Sequence, residues 1–293
     1  MRSALLVFIL VIASLALGQD CTSYVVVNAY NDKLGIDLVT LKTGDFEARM
    51  GKIPLTVVSS MQDYKSRLVV LVEVDGAADN AKIGDVVDSV TRMARQAPDG
   101  QPVAFGIYAG HAVFTKGFIT DSAERTKAIA AVREEAGSLG KRVALFDALN
   151  QALQLFGPHQ PGDTVLLVGF PYDDKSSHSA GDVEKKFLNS GTRLMIMLRE
   201  TWSSNSRDFL FNSHLPETKL FEGFPERTGG AYSTFEPHFF GWNWRGYLLA
   251  VKVPAGLGKA QPQKWSLRFR GVAGDVFKKS KLFYPELLPV CKQ

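Results

Sequence analysis

Leu68 to Asp79 reads LVVLVEVDGAAD, and the fold turns on it. Seven mostly apolar, β-branched residues run into an acidic loop and then into a helical pattern. A continuous apolar run closed by a turn signal is the mark of a strand buried on both faces, and parallel strands covered by helices are its usual setting. In open α/β sheets ligands collect beyond the carboxyl ends of the strands. The loop Asp75-Gly76-Ala77-Ala78-Asp79 is therefore the first place to look for a site.

The chain of 293 residues is 45% hydrophobic and 22% charged, ordinary values for a globular protein with ample core. Arg2, the apolar run Ala4 to Leu17 and the small residues Ala16 and Gly18 give the pattern of a secretory signal peptide over residues 1–18, with cleavage near Gly18. The expected location is secreted or periplasmic. The net charge is +4, and its basic residues are scattered, which argues against nucleic acid as a partner. Beyond the leader no apolar run is long enough to span a membrane. The two cysteines, Cys21 and Cys291, stand at the ends of the mature chain. An oxidising compartment permits a bridge between them, worth about 4–5 kcal/mol in the chain-entropy model, the alternative being two free thiols.

Working outward, short β-rich runs occur at 22–28, 36–41 and 53–59. They form an N-terminal β segment over 19–65. From Leu68 the pattern becomes strand, helix, strand. A helical face spans Ile83 to Arg95, strands Val103 to Tyr108 and His111 to Phe118 form a hairpin, and the N-cap cluster Thr120-Asp121-Ser122 opens a helix reaching about Ala136. Leu145 to Phe156 is a second amphipathic helix. Thr164 to Phe170 is another buried strand, followed by the acidic, serine-rich loop Tyr172 to Ser179. A helix over 181–189 and strands at 193–198 and 231–235 complete a domain over 66–236. Strands recur at 247–253, 264–269 and 281–284. The segment 237–293 is thus expected to join the N-terminal strands in one small β module.

Four segments stand in a telling order: LVVLVEVD at 68–75, VALFDAL at 143–149, VLLVGF at 165–170 with its acidic loop, and ERTGGAYS at 226–233. Together they resemble the von Willebrand factor A (VWA) domain, more narrowly the VWA-related exported bacterial proteins. The resemblance implies a Rossmann-like α/β fold, a six-stranded, mostly parallel sheet with helices on both faces. It also implies a metal-ion-dependent adhesion site at the top of the sheet, built from D-x-S-x-S, a threonine and a later aspartate. Such a site suits Mg²⁺, which takes about six oxygen ligands. This sequence keeps Asp75 but has Ala77 and Asp79 for the serines, Val143 for the threonine, and Phe170 or Pro171 for the later aspartate. Hydrocarbon replaces oxygen at Ala77, Val143 and Phe170 or Pro171, so no metal or other cofactor is expected. Asp173 and Asp174 are the nearest additional acids, and Asp147, early in a helix, reads as structural.

No G-x-S-x-G, H-E-x-x-H or Walker A pattern is present. Ser177-His178-Ser179 could be drawn as a nucleophile with its base, but no orienting acid is identifiable from sequence. Trp242 and Trp244, with Phe239 and Phe240, form the densest aromatic patch, read as core where the tail docks. The expected function is non-enzymatic capture of a protein partner by the loops above the sheet: Asp75, Ala77 and Asp79, then Val143, then Phe170, Asp173 and Asp174. A structural subunit of an envelope assembly is the alternative, with a serine hydrolase third.

Overall fold

The computed structural model describes residues 20–31, 36–37, 41–62, 64–74, 88, 90–92, 94–95, 97–169, 173, 175–198, 223–234, 246–257, 261–270 and 280–291. The signal peptide expected over 1–18 and the tryptophan pair of the aromatic patch lie outside them.

Along the chain come β1 (Cys21–Asn31), β2 (Ile36–Asp37), β3 (Phe46–Met50), β4 (Ile53–Met61), β5 (Leu68–Glu73), β6 (Val103–Tyr108) and β7 (Ala112–Phe114). Then follow α1 (Ser122–Glu134), α2 (Leu145–Leu155), β8 (Thr164–Gly169), α3 (Ala180–Ser190), β9 (Arg193–Leu198), α4 (Phe224–Arg227) and β10 (Tyr232–Thr234). The tail adds β11 (Tyr247–Val253), β12 (Gln263–Lys264), β13 (Ser266–Phe269), β14 (Ser280–Phe283) and β15 (Leu287–Leu288).

One sheet has the order β10-β9-β8-β5-β6-β7. Renumbered within this sheet, that is the 3-2-1-4-5-6 order of doubly wound α/β folds read from the β7 edge. It is mixed rather than wholly parallel: β5, β6, β8, β9 and β10 run parallel, and β7 returns antiparallel from β6. All six residues of β5 are buried. Alternation sends Leu68, Val70 and Val72 into a core with Ile129 and Val132 of α1, and Val69 and Leu71 into a second core with α2 and with Val183 and Phe187 of α3. The central strand is therefore apolar without a break until Glu73. Within the helix expected over 83–95, residues 88, 90–92, 94 and 95 are helical, with Val90 and Ala94 in the first of these cores.

Arg67, immediately before β5, ties the lower edge of this sheet together. Its Nε and Nη2 donate to the two carboxylate oxygens of Asp163 at 2.9 and 2.6 Å, Nη1 donates to the Phe156 carbonyl at 2.7 Å, and Nη2 also reaches the Pro158 carbonyl at 2.8 Å. The guanidinium lies 5.3 Å from the ring centres of both Phe118 and Phe156. One side chain thus fixes the starts of β5 and β8 and the end of α2.

The second sheet has the order β13-β3-β4-β11-β1-β14, with β2 beside β1. Cys21 to Val27 of β1 pair with β11, and Asn28 to Asn31 pair with β14. Both chain ends therefore supply strands to one sheet, and the Cys21–Cys291 disulfide joins them across a sequence separation of 270. Its core gathers Val25, Val27, Phe46, Leu249 and Trp265, whose indole N–H donates to the Pro285 carbonyl at 2.7 Å.

Three local expectations need correction. Phe46–Met50 was not expected to be a strand, because Glu47 and Arg49 give it a polar look; Phe46 and Ala48 nevertheless face the core, and pairing to β4 and β13 holds it extended. Of the strand expected over 36–41, Ile36–Asp37 is extended, Leu41 is not in a strand, and 38–40 lie outside the described residues. The second hairpin strand is shorter than 111–118 because the chain turns at Gly117, whose φ of 129° suits only glycine.

Two stability outcomes follow. Asp163→Asn leaves the enclosed Arg67 charge without its carboxylate, and urea unfolding should register a loss of about 3–5 kcal/mol. Gly230→Ala would set a Cβ 1.9 Å from the Leu194 carbonyl oxygen, a backbone atom that cannot step aside. A loss above about 2 kcal/mol is expected in the same assay.

Candidate functional site

The site to be tested is the carboxyl edge of the parallel sheet, where β5, β6 and β8 end. Ala144 precedes α2 and offers no side-chain cap, so the first N–H groups of that helix need partners from elsewhere. The loop after β8 supplies them. Asp173 Oδ1 accepts from the Leu145 N–H at 2.7 Å and from the Ser176 hydroxyl at 2.5 Å, while Ser176 Oγ accepts from the Asp147 N–H at 3.0 Å. The Lys175 N–H donates to the Val143 carbonyl at 3.1 Å.

Asp147 returns the favour from the helix to the loop. Its carboxylate accepts from the Ser177 and His178 backbone N–H groups, each at 3.0 Å, from the Ser177 hydroxyl at 3.0 Å, and meets His178 Nδ1 at 2.6 Å. Burial raises the Asp147 pKa, but the hydrogen bonds from Ser177 and His178 outweigh it and bring the group down to about 2. The structural role read for Asp147 from the sequence is met in a different way, since this carboxylate holds a distant loop as well as standing in the first turn of its own helix.

These contacts also define what Ser177 can do. In a Ser-His-Asp triad the acid and the serine sit on opposite ring nitrogens. Here Asp147 and Ser177 both face Nδ1, with Ser177 Oγ at 3.4 Å from it and bonded instead to the carboxylate. The arrangement anchors a loop and has no base aimed at a nucleophile.

Of the residues singled out from the sequence, Asp75, Ala77, Asp79, Phe170 and Asp174 lie outside the described residues. Val143 is 1% exposed and belongs to the core beneath α2, so its carbonyl is what it contributes to the rim. Asp173 is partly buried and occupied with the start of α2. Among the described residues the donor set does not fit Mg²⁺: Val143 has no side-chain oxygen, and Asp173 Oδ1 already takes two hydrogen bonds. No group of three His, Cys, Asp or Glu side chains able to hold a metal occurs among them.

The sequence reading passed over Glu73. It is 3% exposed at the carboxyl end of the central strand. Its carboxylate and the Tyr108 hydroxyl close over Gly169, where an added Cβ would lie 2.5 Å from Glu73 Oε2 and 3.1 Å from the Tyr108 oxygen. The signal was a lone acid inside an otherwise apolar seven-residue run, since such a group is buried only with partners.

No family model matches the chain, and no curated protein matches it. Solved structures similar to it include a von Willebrand factor type A protein from Catenulispora acidiphila, 10% identical over 92% of this chain and 74% of that one, with a TM-score of 0.45. An aerotolerance-related membrane protein from Bacteroides fragilis is 12% identical over 60% of this chain and 94% of that one, also at 0.45. The mussel byssus proximal thread matrix protein 1 with a zinc-occupied MIDAS motif is 16% identical over 47% and 38%, at 0.40. Likenesses this distant carry no argument about site or activity. The doubly wound α/β fold stands on the strand order and the hydrogen bonding of the sheet itself.

The depressed Asp147 pKa sets a pH dependence. A carboxylate whose folded value lies below its ordinary value near 4 contributes stability that is present above that value and is lost as pH falls towards about 2. Urea unfolding between pH 5 and pH 2 should lose about 1–2 kcal/mol in the native chain through this group, discounted for its partial exposure. Asp147→Asn should be less stable at pH 5 and show a flatter profile across that interval.

Proposed function

We propose that the protein is exported and, without enzymatic activity, captures a protein partner through the loops at the carboxyl edge of its sheet. The observation that carries this reading is the reciprocal capping between the 173–178 loop and the start of α2. A polar loop locked to a helix end presents a preorganised rim, and preorganisation lowers the ordering cost of binding. Asp75 to Asp79 and Asp174, named from the sequence, belong to the proposed binding surface with Asp173, making direct contacts rather than using a bridging cation. Export is supported by the leader-like first 18 residues and by the Cys21–Cys291 disulfide, which persists in oxidising compartments. No described helix is long and apolar enough to cross a membrane.

A second reading, a structural subunit of an envelope assembly, draws on β4 of the other sheet. Ile53, Val58 and Met61 are 41%, 51% and 58% exposed there. Photo-crosslinking residues placed at positions 77 and 174, and separately at 58, separate the two in producing cells. Adducts from 77 and 174 with none from 58 are expected; adducts from 58 alone favour the assembly subunit. An activated phosphonate should leave Ser177 unlabelled, and covalent labelling would revive the hydrolase.

A further inference from the structure

At the opposite end of the sheet a cleft of about 230 Å³ separates the two halves of the molecule. Tyr24 to Val26 of β1 form one side, the turns at Gln160–Gly162 and Asn189–Gly191 another, and Pro289 and Val290 border it from the tail. Arg193, the first residue of β9, lines it and is 1% exposed. Its Nε donates to the Gly229 carbonyl at 3.2 Å and its Nη2 to Asn28 Oδ1 at 2.5 Å. Nη1 is buried with no hydrogen-bond partner, and no carboxylate among the described residues forms an ion pair with this guanidinium.

A buried guanidinium with an unsatisfied N–H is costly, and a planar carboxylate matches such a group best. Burial lowers the Arg193 pKa to about 10, which leaves it charged at neutral pH. The cleft is smaller than the roughly 300–1,000 Å³ of drug-sized sites, so its ligand has few heavy atoms. Val26, Pro161 and Pro289 offer an aliphatic tail apolar surface. We propose that this cleft binds a small aliphatic carboxylate, its tail on those side chains and its oxygens on the Arg193 guanidinium. Nη1 is sealed from water in this structure, so binding requires the wall beside Arg193 to yield, which would couple the ligand to the contact between the two sheets.

Calorimetry and thermal melting of the full mature protein, at constant ionic strength, test this with acetate, propionate and butyrate against phosphate and propylammonium. Propionate or butyrate should bind and raise the melting temperature, while propylammonium should do neither. Val290→Trp, at a 39% exposed position bordering the cleft, should weaken carboxylate binding about tenfold or more without unfolding the chain, and Arg193→Met should abolish it. Should Arg193→Met fail to fold, Val290→Trp decides. Binding undiminished in Val290→Trp, or phosphate binding as tightly as the carboxylates, overturns the assignment. Absence of binding by every anion overturns it too, and leaves Nη1 to a buried water.

Discussion

The ion pair between Arg67 and Asp163 is the constraint on which the α/β domain rests. Both partners sit where the two central strands begin, and Asp163 is wholly enclosed. The charge is tolerable there because the guanidinium is met by two carboxylate oxygens, two carbonyls and two aromatic rings. Such a cage holds in one geometry only, which sets β5 and β8 side by side in a single register. From that register the odd and even residues of β5 reach their separate cores, and the strands end at a common upper edge.

At that upper edge the same economy of polar groups operates between elements far apart in sequence. Helix α2 starts on an alanine, so it has no cap of its own, and the loop after β8 provides one through Asp173 and Ser176. Asp147 holds the loop in return. Neither the helix end nor the loop is fully satisfied alone, and each removes the other's unpaired donors. Serine, aspartate and histidine in this loop are thus spent on architecture, and the surface they shape is what remains for recognition.

The second sheet makes the chain ends mutually dependent. β1 is long enough to pair with β11 along its first seven residues and with β14 along its last four, so the N-terminal strand bridges two C-terminal ones. The disulfide fastens that sheet at one margin. Between the sheets Arg193 reaches from β9 to Asn28 of β1, a side-chain hydrogen bond that links the two. Val26 packs there against Gly162, where an added Cβ would fall 2.6 Å from Val26 Cγ2.

Local pattern was sufficient for much of this. The alternation of apolar strands and amphipathic helices from Leu68 to Leu198, the N-cap cluster at 120–122 ahead of α1, and the strands at 193–198 and 247–253 were legible because each depends on neighbours within a few residues. So was the pairing of the two cysteines as the favoured arrangement. What tertiary structure alone decided was every contact made across long separations. Phe46–Met50 is a strand because β4 and β13 flank it, Val143 is core because α2 folds over it, and Asp147, Ser177 and His178 form an anchor because two loops meet. Glu73 shows the limit most clearly: its sequence marks it as an acid in an apolar run, but only the fold brings Gly169 beside its carboxylate. Hydrophobic period is a property of a segment, whereas the satisfaction of a polar group belongs to whatever the fold brings beside it.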